Sequence, residues 1–261
     1  MRLLTFSFLK NCKYKTLYGS LPRRISGVLQ TDALPKTTGD PSLVEISPSW
    51  KADEEEELRA AVLRDMQVLP DFITEREEVA MLNELEPQLR RMRYEFDHWD
   101  NAIHGFRETE RSQWTSESEV VLSRVRGVAF AASAGAGSPL PHAHVLDLAA
   151  TGHIKPHIDA VRFCGGVIAG LCLVSSAVMQ LVHNEKKHLA LNALLARRAL
   201  YIMKYVLGQR RTLSQSKCAG GRGRSLCPKL PYCYLGHKFQ GFRFLILNLI
   251  AVLRNEDNLI Y

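Results

Sequence analysis

Residues 153–159 read His-Ile-Lys-Pro-His-Ile-Asp. On an extended backbone successive side chains alternate between faces, so His157 and Asp159 fall on one face, two residues apart. One imidazole nitrogen and one carboxylate oxygen at that spacing can converge on a single cation. They would supply two of the three ligands of the 2-His-1-carboxylate arrangement, which holds non-haem Fe(II) and leaves coordination positions open. A bare His-x-Asp is a short pattern that recurs by chance, so its neighbours decide how it is read. Pro156 fixes the backbone just before the first ligand. Upstream, Asp147 lies in the apolar, strand-like run His144–Leu148, and downstream comes Phe163-Cys164-Gly165-Gly166.

Working outward, the segment around this stretch reads as strands: 144–148, 152–159, 167–174 and 178–183, separated by turn residues and without a 3.6-residue period. That pattern suits an antiparallel sheet or barrel. Two helices are expected before it. Thr74 with Glu77 forms a capping-box pattern, and Val79, Leu82, Leu85 and Leu89 mark one helical face up to about Arg93. Ser116 with Glu119 repeats the capping pattern, and Val120, Val121, Val125 and Val128 carry a helix to about Phe130. Val68–Ile73 is expected to be a strand, and the small residues of 131–141 a connector. The stretch 94–111 is rich in aromatic, His and charged residues; for His98 and His104 local hydrogen bonding is the expected role, ahead of catalysis. Cys164 and Cys172 read as small buried apolar residues. The fold class is α+β.

Several longer words make the reading more specific. They are Glu84-Leu85-Glu86-Pro87, the run Tyr94-Glu95-Phe96-Asp97-His98-Trp99-Asp100, Ala102–Glu110, His144–Leu148, the 153–159 stretch, and Ile168-Ala169-Gly170-Leu171. In order and content this segment resembles the AlkB family of Fe(II)/2-oxoglutarate dioxygenases, and within it the mitochondrial branch. The resemblance runs from about Val68 to about Met203, roughly half of the chain. It implies a double-stranded β-helix, or jelly roll, with helices packed on one side, over residues 68–203. It implies Fe(II) as the metal, held by His157 and Asp159, and 2-oxoglutarate as co-substrate, contacted by Tyr201 in Ala199-Leu200-Tyr201-Ile202. The implied activity is oxidative hydroxylation or demethylation of a protein or an RNA. The implied setting is the mitochondrial matrix, with a part in programmed necrosis after alkylation damage and in fatty-acid metabolism.

Charge is segregated along the 261 residues, and the formal net charge of +7 hides it. Residues 1–31 hold six Lys/Arg and no acid, residues 32–186 hold 15 basic and 25 acidic residues, and residues 187–255 hold 13 basic residues and no acid. The first segment, with its Leu, Phe, Ser and Thr, has the composition of a mitochondrial transit peptide; its apolar start is too short to span a membrane. Residues 32–67 read as a Pro-containing linker in which the acidic run Asp53–Glu57 leads into a short helix, its acids at the positive N-terminal end. No transmembrane segment is expected. The six cysteines carry no disulfide framework in an intracellular setting.

The resemblance stops after Met203, and 204–261 reads as a divergent basic tail, poorly integrated, leaving the jelly roll incomplete at its C-terminal end. The family requires a distal His as third iron ligand and, further on, an arginine for the distal carboxylate of 2-oxoglutarate. Neither motif is found. His183 and His188 come too early. His237 stands at a tolerable separation with unmatched flanks, followed by Arg243 and Arg254, while Arg210-Arg211 offer cations. The expectation is therefore an impaired dioxygenase. The alternatives are an inactive interaction protein, or a tail in which Cys218, Cys227, Cys233 and His237, at the C-x8-C-x5-C-x3-H spacing, hold zinc in a small RNA-binding module. Phe242–Leu253, almost wholly apolar, reads as a buried strand or an aggregation-prone segment.

Overall fold

The structure is a computed structural model that describes residues 36–99, 101–130, 138–139, 141–155, 157, 167–183, 185–204, 232–234 and 243–252. Its larger sheet has the order β2 (Met66–Leu69), β9 (Leu200–Lys204), β6 (Val167–Leu173), β11 (Phe244–Val252), β5 (Ala143–Ile154), β3 (Ile103–Arg111), with β4 (Ser138–Pro139) also pairing with β11. The smaller sheet runs β1 (Val44–Ile46), β8 (Ala190–Leu195), β7 (Ala177–His183), β10 (Tyr232–Tyr234). All pairings are antiparallel. With the described helices α1 (Glu56–Asp65), α2 (Glu75–Leu89) and α3 (Ser116–Phe130), this is the expected α+β jelly roll.

Alternation along the strands of the larger sheet builds two cores. Leu146, Leu148, Ile168, Cys172, Tyr201, Phe244 and Ile246 face the smaller sheet and pack with Met179, Leu181, Leu191, Ala193 and Leu195. Val145, Val167, Ala169, Leu171, Ile202, Leu245, Leu247 and Leu249 face outward, beneath Met81, Leu85 and Leu89 of α2 and Val121, Leu122 and Val125 of α3. Because both faces of the sheet are covered, its central strands are apolar on both sides. That is the physical reason for the unbroken Phe-Leu-Ile-Leu run of β11.

The tail is therefore not uniformly set apart. Phe244–Val252 lies in the middle of the larger sheet, hydrogen-bonded to β6 on one side and β5 on the other. The expectation of a poorly integrated 204–261, and of a jelly roll left incomplete there, does not hold for this strand. Among the described residues the edges of this sheet are β2 and β3.

Other differences are local. The capping box at Thr74 and Glu77 is formed on both sides, but α2 ends at Leu89, two residues after the in-helix Pro87. For α3, Thr115 takes the capping position: its hydroxyl accepts from Ser118 N at 3.4 Å and its carbonyl from Glu119 N at 2.9 Å. The strands expected at 144–148 and 152–159 are one strand to Ile154. The strands β3 and β8 were not anticipated.

The β3–β5 pair bends just before the His157 stretch. Its register shifts between His104 and Phe106, where Gly105 has φ +67°. A Cβ on Gly105 would stand 2.9 Å from Gly152 Cα, and one on Gly152 would stand 2.4 Å from the Gly105 carbonyl oxygen. Two glycines face to face allow the backbones to close over this bulge.

Buried charge locks the elements together. Asp147 on β5, wholly buried, accepts from Arg107 Nε at 2.6 Å, Arg243 Nε at 2.7 Å and Tyr94 Oη at 3.2 Å. Arg243 also pairs with Glu86 of α2, and Arg107 reaches the Leu89 carbonyl. Burial works against the charge of Arg243, but the Asp147 and Glu86 carboxylates outweigh it and push the guanidinium further up. On the same helix Glu78, fully buried, accepts from Val174 N at 2.9 Å and Arg197 Nε at 2.9 Å. It braces two turns whose residues Val174 (φ 74°) and Arg198 (φ 65°) hold left-handed backbone.

Candidate active site

His157 lies three residues past Ile154, the end of β5. Its Nδ1 lies 2.7 Å from the Lys155 carbonyl oxygen. A carbonyl only accepts, so Nδ1 carries the proton and the lone pair resides on Nε2. This is the tautomer that a metal-binding imidazole takes when its second nitrogen is fixed by the backbone. His157 thus has the chemistry of a metal ligand. Asp159, its proposed partner, lies outside the described residues. Among the described residues, no group of three or more His, Cys, Asp or Glu side chains is placed to hold a metal ion.

The end of β5 is tied to the segment before β3, since Lys155 N donates to the Ala102 carbonyl at 2.6 Å. That segment forms an aromatic and histidine rim. Phe96 and Trp99 are exposed. The rings of Phe96 and His104 meet edge to face at 5.1 Å, and His104 stands 5.0 Å from His153. His98 is buried against Phe106, with Nε2 3.7 Å from Glu108 Oε1, and His144 Nε2 meets Glu108 Oε2 at 3.1 Å. His104 Nδ1 lies 2.5 Å from the Phe96 carbonyl oxygen, the local hydrogen bond expected of it, whereas the His98 contacts named here are a ring contact and the longer approach to Glu108.

Tyr201 is fully buried on β9, on the face toward the smaller sheet, and its hydroxyl donates to Asn248 Oδ1 at 2.6 Å. The ring lies across Gly170, where a Cβ would stand 2.0 Å from Tyr201 Cε1. Asn248 was missed in the sequence, although a single amide inside a buried apolar strand demands a partner.

The remaining candidates are dispersed. His183 ends β7, where its Nδ1 accepts from the backbone N–H of Glu185 and of Lys186, both at 3.1 Å. Burial holds its imidazole below the usual 6.5, ahead of the opposing pull of Glu185. His188 contacts Glu54 at 2.7 Å. Arg243 faces Asp147 on the helix side of the sheet, away from Tyr201. His237, Arg210, Arg211, Arg254, Cys218 and Cys227 lie outside the described residues. Cys233 is placed only by its backbone, opposite Val182 in the β7–β10 pair.

Carboxylates around the site's scaffold are held charged by their partners. Burial pulls the Glu77, Glu84 and Glu86 carboxyls up. Hydrogen bonds and charge from Arg124 and Thr74, from Ser118, Thr115 and Arg111, and from Arg243 and Arg90, respectively, outweigh it and leave all three below 4.5. A folded-state value under the unfolded one contributes stability above about pH 4.5 and loses it as pH falls. The urea midpoint should therefore drop progressively on acidification below that pH; a midpoint unchanged to about pH 3 would contradict the pairing.

Facing antiparallel sheets with helices on the outside of one define a jelly roll. The relatives narrow this. Over 143 residues the chain is 53% identical to a mouse protein named alpha-ketoglutarate-dependent dioxygenase alkB homolog 7, mitochondrial, covering 54% of this chain and 63% of the mouse protein. Over 150 residues it is 50% identical to the cow protein of the same name, covering 56% of this chain and 66% of that one. Over this segment the chain is similar to these two AlkB homologues. It spans only 63% and 66% of the length of these two relatives. No family model matches. A crystal structure of a Pseudomonas putida prolyl-4-hydroxylase aligns with 75% of this chain and 99% of its own, at TM-score 0.47 and 10% identity, a likeness too loose to bear on function.

Proposed function

We propose that the chain is a mitochondrial AlkB-like dioxygenase domain, built for Fe(II) and a 2-oxo acid, whose turnover with 2-oxoglutarate is impaired. The observation that carries this reading is the 50–53% identity to relatives named alpha-ketoglutarate-dependent dioxygenases, over a matched length close to that of residues 68–203. His157 would hold the metal through Nε2, with Asp159 beside it, and Lys155 would fix the imidazole through its carbonyl. Bound iron in this class supplies oxygen activation, coupled to decarboxylation of the 2-oxo acid, for hydroxylating or demethylating a protein or an RNA. The chain's own contribution is an apolar interior around Tyr201 and an exposed aromatic rim at Phe96 and Trp99.

Two features of the chain weigh against full activity. No matched histidine follows Asp159 to complete the ligand face; His237 is the low-ranked substitute. No matched arginine is available for a distal carboxylate, since Arg243 is committed to Asp147 and Glu86. Loss of one charge-assisted pair corresponds to about 1.5–3 kcal/mol, or about 10- to 150-fold in affinity. The names of the relatives support mitochondrial location, with residues 1–31 as the targeting arm; roles in programmed necrosis and fatty-acid metabolism follow from the same likeness. No described helix is long and apolar enough to cross a membrane.

The test is Fe(II)-dependent succinate formation from 2-oxoglutarate by the full chain, beside Asp159→Ala. Little or no turnover is expected from either. Robust turnover that Asp159→Ala abolishes would show the ligand set to be complete, with His237 the first residue to replace.

A further inference from the structure

Beyond the Gly105–Gly152 bulge, β3 and β5 pair again, Ile103 with Ile154 and His104 with His153. Ile103 and Ile154 are buried in the core between the sheets, so alternation turns His104 and His153 together to the opposite face. Neither histidine is buried there, and the pair is open to solvent. Their ring centres stand 5.0 Å apart, with the planes tilted by 37°. His104 Nδ1 lies 2.5 Å from the Phe96 carbonyl oxygen. A carbonyl only accepts, so Nδ1 carries a proton and Nε2 is the nitrogen left to bind a further group.

An imidazole bound to a cation has its ring centre about 3.2 Å from the metal, the sum of a metal–nitrogen distance of about 2.0–2.1 Å and a ring radius of about 1.1–1.2 Å. Two such rings at a coordination angle of about 90–110° stand about 4.5–5.2 Å apart, centre to centre. The observed separation falls inside that range. We propose that His104 and His153 form a two-histidine chelate for a borderline divalent cation, Zn(II) or Cu(II), separate from the His157 site. Imidazole nitrogens suit these ions, and Fe(II) stands below both in the order of affinities. Among the described residues no third His, Cys, Asp or Glu joins the pair, so water completes the coordination. If either ring is protonated in the metal-free chain, binding releases that proton. The cation clamps β3 to β5 beside the Lys155–Ala102 hydrogen bond, on the stretch that leads to His157. It does so whether or not iron binds at His157.

The probe is Zn(II), added in excess to the full chain. A cation that binds a cross-strand pair present only in the folded state raises the urea midpoint by mass action. The rise should persist in His157→Ala, which removes the other candidate site, and should disappear when His104→Asn or His153→Asn is added to that variant. A second reading needs no substitution at the pair. In the unaltered chain Zn(II) should shift the imidazole carbon–proton resonances of His104 and His153 and stop them titrating, while those of His98 and His144 stay in place. A midpoint that Zn(II) leaves unmoved in His157→Ala, a rise that survives either further substitution, or resonances of the pair that do not respond to Zn(II) overturns the assignment and leaves the iron reading untouched.

Discussion

A chain ended before Arg243 should fail to fold cooperatively. Its loss removes β11, which pairs with β6 from Leu245 to Ala251 and with β5 from Phe244 to Asn248. Phe244, Leu245, Ile246, Leu247 and Leu249 are each at most 1% exposed. At about 1.5–3 kcal/mol for a fully buried side chain of this size, their removal forfeits on the order of 8–15 kcal/mol, comparable with the whole stability of a typical domain. The break also exposes two unpaired edges in the middle of a sheet, a template for aggregation. Circular dichroism should show a broad, non-cooperative melt, and Ile246→Asp should approach the same outcome without truncation. A truncated chain that melts as sharply and at the same temperature as the full one would contradict the central place of this strand.

Replacing Asp147 with Ala should cost about 3–5 kcal/mol, because it leaves buried guanidiniums without their counter-charge. Arg107, 8% exposed, would keep the Leu89 and Met92 carbonyls and the Tyr94 ring 4.5 Å away but no counter-charge among the contacts described here, and Arg243 would keep Glu86. The effect reaches beyond β5, since Asp147 joins the strand contributed by the tail to the segment shared with the AlkB relatives. The urea midpoint reads it directly. A change under about 1 kcal/mol would mean that the pairs are weak or replaced by water.

The sequence showed most plainly those features that rest on repetition or on a local hydrogen bond. The Thr74–Glu77 box could be read because its two residues lie three apart; the apolar face of α2 was read only in part, since Leu85 and Leu89 are buried but Val79 is 48% exposed and Met81 faces the core instead. Strands β6 and β7 could be read because their apolar residues fall in short, turn-bounded runs. Strand β3 could not. At the sheet edge it alternates core residues with Arg107, Glu108 and Glu110, whose charges are settled by Asp147, His144 and His142 on its neighbour, so no hydrophobic alternation marks it. The tail misled for a different reason. Its composition departs from that of the matched segment, yet Phe244–Leu249 meets the one requirement of a central strand, apolar side chains on both faces.

The candidate site was legible in part. His157 was singled out from the His-x-Asp pattern, and the Lys155 carbonyl now gives its tautomer a cause. Tyr201 was singled out by resemblance, but its partner was not: Asn248 is 47 residues away and joined to it only through sheet register. Arg243 stood out in the sequence only as a cation beyond His237. Strand alternation turns it to the helix side, where Asp147 and Glu86 receive it.

The most direct measurement is anaerobic titration of the full chain with Fe(II), repeated on His157→Ala and on Asp159→Ala. One weakly held iron, lost in both variants, is expected from a site resting on one imidazole and one carboxylate. Binding that persists undiminished in both variants would place the metal elsewhere and contradict the assignment of His157 and Asp159.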